Sequence, residues 1–143
     1  MSALDTLISG GDVLLPDGLH RLDLGLKDGV VAGVYLPRTA PEATKTIDAY
    51  GKTVLPGIVD IHFHVRAPAY PERGTVLSET RAAAAGGVTT MFEMPISKPC
   101  CSTPQELSRR RDHFNENAVI DFALYAAPGD LTDSTRDKMI ELG

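Results

Sequence analysis

Apolar and polar positions along the chain follow two different patterns, and the change between them falls near residue 55. Upstream, Leu22, Leu24 and Leu26 alternate with Arg21, Asp23, Gly25 and Lys27, the two-residue period of a half-buried strand. Asp28-Gly29 then supplies a tight hairpin turn before Val30-Val31-Ala32-Gly33-Val34. Pro16-Asp17-Gly18 marks an earlier turn and residues 37–44 form a polar loop. Residues 1–55 are therefore expected to be short antiparallel strands of a small β unit.

Downstream, apolar runs alternate with helical segments, the order of a parallel α/β arrangement. The pattern predicts a first strand over 54–64, a helix over 78–85 stopped by Gly86-Gly87, and a second strand over 88–94 ended by Pro95. Thr103-Pro104-Gln105-Glu106 joins a threonine N-cap, proline at the first helical position and glutamate three residues after the cap, opening a helix that runs to Asn117. A third strand is expected over 118–126 and a last helix over 133–142, with Gly143 as its C-cap. An eight-stranded βα barrel takes roughly 200 residues or more. Residues 56–143 are thus expected to be the first three βα units of a barrel, in a truncated chain.

Composition narrows the class. With 143 residues, 43% hydrophobic and 23% charged, the chain has the size and balance of a soluble globular protein. A net charge of -5 with 14 Lys and Arg leaves no broad basic surface, which argues against a nucleic-acid partner. Arg109-Arg110-Arg111 is expected on a solvated helix face. No apolar run approaches the ~20 residues of a membrane span, and Met1 to Asp5 lacks the basic and apolar regions of a signal peptide. The expected location is cytoplasmic. Cys100 and Cys101 are adjacent, which disfavours disulfide geometry, and they read as reduced thiols; as soft-metal ligands they would lack partners.

The candidate chemistry sits at the end of the first downstream strand, Pro56-Gly57-Ile58-Val59-Asp60-Ile61-His62-Phe63-His64-Val65-Arg66. In an extended chain Asp60, His62, His64 and Arg66 share one face, and Val59, Ile61, Phe63 and Val65 the other. Two imidazoles on one face can converge on a divalent ion, although a bare His-x-His is more often a hydrogen-bonded pair. Asp60 could orient a histidine through its other ring nitrogen, or be a buried carboxylate satisfied by backbone. Glu93, closing the second strand, is a candidate pocket residue or a strand-end surface carboxylate. His20 and His113 read as surface or locally hydrogen-bonded residues.

That stretch, followed by Thr80-Arg81-Ala82-Ala83-Ala84-Ala85-Gly86-Gly87-Val88-Thr89-Thr90-Met91-Phe92-Glu93-Met94-Pro95, resembles the N-terminal part of a cyclic amidohydrolase of the dihydroorotase and allantoinase group. The resemblance implies part of a β-sandwich domain over 1–55 and the start of a metal-dependent (β/α)8 TIM barrel over 56–143. It also implies a binuclear centre, usually zinc, with His62 and His64 as the first two ligands. Ring opening of a small cyclic amide by a metal-bridging hydroxide is the implied reaction, and a homo-oligomer is the expected full-length state. The family's carbamylated lysine, later histidines and catalytic aspartate have no match here. Lys138 precedes the expected fourth strand and is not assigned to that role, so no catalytic residue is identified and this chain alone is expected to be inactive.

Arg66 matches the arginine that follows the histidine pair in dihydroorotases, where a forked guanidinium suits a carboxylate. Met94-Pro95-Ile96-Ser97 lacks the dihydroorotase asparagine, Glu93-Met94-Pro95 looks more like allantoinases, and Ala67-Pro68-Ala69 departs from the Glu-Pro-Gly of both. The alternative reading is a non-catalytic scaffold that keeps the fold without the chemistry. Retention of both histidines argues against it.

Overall fold

The computed structural model describes residues 3–129 and 132–142. It divides into two compact units, Met1–Pro56 and Gly57–Gly143.

The first unit is one five-stranded sheet. Strands β1 (Leu4–Leu15), β2 (Gly18–Lys27), β3 (Val30–Tyr35) and β4 (Ala43–Asp48) lie in the order β3-β2-β1-β4, with the two-residue β5 (Thr53–Val54) also beside β1. Asp28 and Gly29 both take positive φ, 51° and 77°, as a two-residue type I′ hairpin requires. The strands are not all antiparallel, contrary to expectation. β2 pairs antiparallel with β1 and β3, whereas β4 and β5 run parallel to β1.

A bulge interrupts β1 between Ile8 and Gly11, where Gly10 takes φ 76°. The backbone N–H released there is caught by Asp23 of β2. The Asp23 carboxylate accepts from the Gly10 N–H at 2.8 Å, the Ser9 hydroxyl at 3.0 Å and the Arg38 N–H at 3.0 Å. Burial pushes this carboxyl up, but the three donors outweigh it and hold it below the usual carboxylate range. Its contribution to stability is therefore complete above about pH 4, the ordinary aspartate value, and is lost as pH falls through the lower folded value. Asp23→Ala is expected to cost about 2–3 kcal/mol at neutral pH, a gap that closes in acid denaturation below that value. An equal gap at every pH would contradict this account.

In the second unit, β6 (Ile58–Phe63), β7 (Val88–Glu93) and β8 (Asp121–Leu124) form a parallel sheet in that order. Helix α1 (Val76–Ala85) connects β6 to β7, α2 (Pro104–Asn117) connects β7 to β8, and α3 (Asp133–Leu142) follows β8. These are three consecutive βα units. Val65, Ala67, Val76, Met91 and Phe114 make the fully buried core, with Phe63, Phe122 and Leu124 packed against it.

Local chemistry fixes the helix starts. Thr75 caps α1 by accepting from the Ser78 N–H at 3.1 Å while the Ser78 hydroxyl accepts from the Thr75 N–H at 2.8 Å, so α1 begins two residues earlier than the alanine run suggests. Thr103 caps α2 by accepting from the Glu106 N–H at 3.2 Å. The apolar run expected as one strand over 54–64 is two pieces. Thr53–Val54 pairs with β1 in the first unit, and the second unit's strand starts only at Ile58, after Pro56-Gly57. The third strand starts at Asp121 rather than 118, because Ala118 still closes α2 through an N–H bond to the Phe114 carbonyl. The expected cap at Gly143 lies outside the described residues.

Candidate metal centre

β6 ends in a bulge that breaks strict alternation at the histidines. Asp60 pairs with Met91 and Phe63 with Glu93, so three residue steps on β6 stand against two on β7. Asp60 explains the break: its Oδ1 accepts the His62 N–H at 3.0 Å. The carboxylate thus shapes the backbone under His62, and its hydrogen bond goes to that N–H and not to an imidazole.

His62 is exposed and His64 half-buried, and their rings meet edge to face with centroids 5.1 Å apart at 73°. Nδ1 of His64 is buried and has no hydrogen-bond partner. Burial first, then the Arg66 and His62 charges, holds the His64 pKa below the ordinary histidine value, which favours the neutral ring. Buried polar atoms are nearly always satisfied. A neutral imidazole with an orphaned nitrogen, touching a second imidazole, fits two ligands of a divalent ion. Among the described residues no cluster of three or more His, Cys, Asp or Glu side chains completes such a site.

Glu93 is neither an open pocket residue nor a surface carboxylate, since it is only 2% exposed. Its Oε2 accepts the Val65 N–H at 2.7 Å, and its Oε1 accepts the Ser97 hydroxyl at 3.0 Å. Arg110 Nη1 stands 3.6 Å from the same Oε1. Burial pushes the Glu93 carboxyl up, against the opposing pull of the Val65 N–H, Ser97, Arg110 and Arg66.

Arg110 corrects the expectation of a solvated arginine run. It is 5% exposed, and donates to the carbonyls of Ala67 at 3.0 Å and Pro99 at 3.1 Å. The sequence carried a signal for this: Leu107, Arg110 and Phe114 fall at helical spacing, and all three are buried. Ser97 had no such signal. Arg66 is half-buried beside these groups, and its charge acts on both His64 and Glu93.

The other candidates lie elsewhere. His20 pairs with Asp17 at 3.0 Å and His113 approaches Asn117 at 3.4 Å, both local contacts. Cys100 donates to the Pro95 carbonyl, and burial pushes the Cys101 thiol up, which keeps it protonated. A groove of about 430 Å³ between α2, β8 and α3, lined by Leu107, Phe114, Phe122 and Leu142, does not include the histidine pair. No helix among the described residues is long and apolar enough to cross a membrane.

A parallel βα order with a His-x-His at the end of its first strand defines a class, and comparison with known proteins agrees. Residues 51–134 match the family model described as dihydro-orotase-like, and the chain belongs to that family. It is 35% identical over 132 residues to an L-hydantoinase of Paenarthrobacter aurescens, covering 90% of this chain and 29% of the relative. It is 33% identical over 144 residues to an allantoinase of Desulfitobacterium hafniense (strain Y51), covering 99% and 31%. A solved L-hydantoinase (dihydropyrimidinase) from Arthrobacter aurescens superposes with a TM-score of 0.87 at 34% identity, over 98% of this chain and 31% of that one. The chain therefore spans about three tenths of the length of the relatives it matches.

Proposed function

We propose that the full-length protein is a metal-dependent hydrolase that opens the ring of a small cyclic amide, of the hydantoin, allantoin or dihydroorotate kind. The observation that carries this reading is the His62–His64 pair, with the buried, unpartnered Nδ1 of His64 between a bulged strand end and Arg66. His62 and His64 would be two of the ligands of a binuclear centre, zinc by the chemistry of its donors, completed by residues beyond this chain. Bound divalent ions supply a water activated near neutral pH and a Lewis acid for the amide carbonyl.

This chain's own part is narrower. The Asp60 bulge aims His62, burial keeps His64 neutral, and Arg66 supplies a guanidinium at the same strand end that can orient a polar or anionic group of the substrate. No base for the leaving nitrogen is found among these residues. The full-length protein, proposed as a cytoplasmic homo-oligomer, is tested by metal analysis and by ring-opening assays on hydantoin, dihydropyrimidine, allantoin and dihydroorotate. Stoichiometric divalent metal and turnover of one of these are expected. Protein free of metal and inert towards all four would sink the proposal.

A further inference from the structure

The segment bearing the histidine and arginine is held by both backbone and side-chain partners. The Phe63 carbonyl accepts from the Met94 N–H at 2.9 Å, and the Arg66 carbonyl accepts from the Tyr70 N–H at 3.0 Å. Between and after these, side chains take over. The Val65 N–H goes to Glu93 at 2.7 Å, the Val65 carbonyl accepts from the Ser97 hydroxyl at 2.8 Å, and the Ala67 carbonyl accepts from Arg110 at 3.0 Å. Each peptide unit from 63–64 to 67–68 therefore has a partner. Three of those partners belong to one connected, buried group.

We infer that Glu93, Ser97 and Arg110 form a clamp whose task is to position His64 and Arg66, a role that rests on the hydrolase reading. The direction of a side chain follows from the two peptide planes flanking its Cα. For His64 these are the planes held by Met94 and Glu93, and for Arg66 those held by Ser97 and Tyr70. Ser97 ties the two halves together, because its hydroxyl meets both the Val65 carbonyl and Glu93 Oε1. Arg110 reaches from α2 across 43 residues of sequence to the end of the same segment. A buried ion pair is an expensive way to gain stability alone, since desolvation offsets much of its attraction. Fixing ligand geometry gives these polar groups a purpose that an apolar filling could not serve.

None of the three clamp residues is among the proposed ligands, so their effect is read separately from catalysis. The test uses full-length protein stripped of metal, as wild type, Ser97→Ala and Glu93→Gln, each checked for native circular dichroism. Hydrogen–deuterium exchange of the peptide containing residues 64–67 and the zinc affinity, by chelator competition, are measured. Both variants are expected to exchange faster in this segment and to bind zinc about 10- to 100-fold more weakly, the usual effect of removing groups that orient ligands. Ser97→Ala removes only one hydroxyl and keeps the test open where Glu93→Gln fails to fold.

Faster exchange with unchanged zinc affinity would reduce the clamp to a structural role and overturn the inference. Unchanged exchange would overturn it as well. Wild-type protein that takes up neither zinc nor another divalent ion and opens none of the four rings would instead refute the hydrolase reading, and the purpose assigned to the clamp with it.

Discussion

Glu93→Ala is expected to destabilise the full-length protein by about 3–5 kcal/mol, the range for removing one partner of a buried ion pair. The loss does not arise from a strong favourable pair. The Glu93 carboxyl is raised by burial, so its ionised form is less welcome in the fold than in water. Its own contribution is complete below about pH 4, the ordinary glutamate value, and is lost as pH rises through the folded one. The cost comes from what the substitution leaves behind: the Val65 N–H and the Ser97 hydroxyl lose an acceptor, and the Arg110 guanidinium, 4% exposed at its side chain, loses its counter-charge. Denaturant unfolding checks the magnitude. A double-mutant cycle with Arg110→Ala should show strongly non-additive costs, because the second substitution removes the stranded charge. Additive costs would mean that the two side chains act independently.

The second large effect is expected at the histidines. His62→Ala and His64→Ala should each lower metal affinity about 100-fold or more, because loss of a group that merely orients a ligand already costs about 10- to 100-fold. Metal content by mass spectrometry would fall in both variants, and ring-opening activity with it. The double variant should be scarcely worse than either single one, since the pair acts as a unit. Full metal content in both single variants would remove His62 and His64 from the centre.

How much of this was legible in the sequence depended on whether the cause was local. The Asp28-Gly29 hairpin, the Thr103-Pro104 start of α2 and the extent of α3 follow from residues within a few positions, and the structure places all three as read. Parallel pairing of β4 and β5 with β1 has no local signature. Pro56-Gly57 is a local breaker within the run over 54–64, but it does not tell that Val54 pairs in the first unit while Ile58 opens the second.

At the site, the His-x-His spacing was visible and its support was not. Glu93, Ser97 and Arg110 owe their roles to backbone groups up to 43 residues away. A charged residue is placed on a solvated face by default. Only its phase with Leu107 and Phe114 pointed the other way.

The bulge between Asp60 and Phe63 makes the length of this strand part of its chemistry. Removing one residue at 61 would erase the extra step opposite β7 and still leave Phe63 opposite Glu93. Phe63, packed on the core, would keep its face, and the change would fall on His62, which would then follow Asp60 directly. The extra residue therefore sets where His62 stands relative to Asp60 and β7, and with it the approach of the two imidazoles.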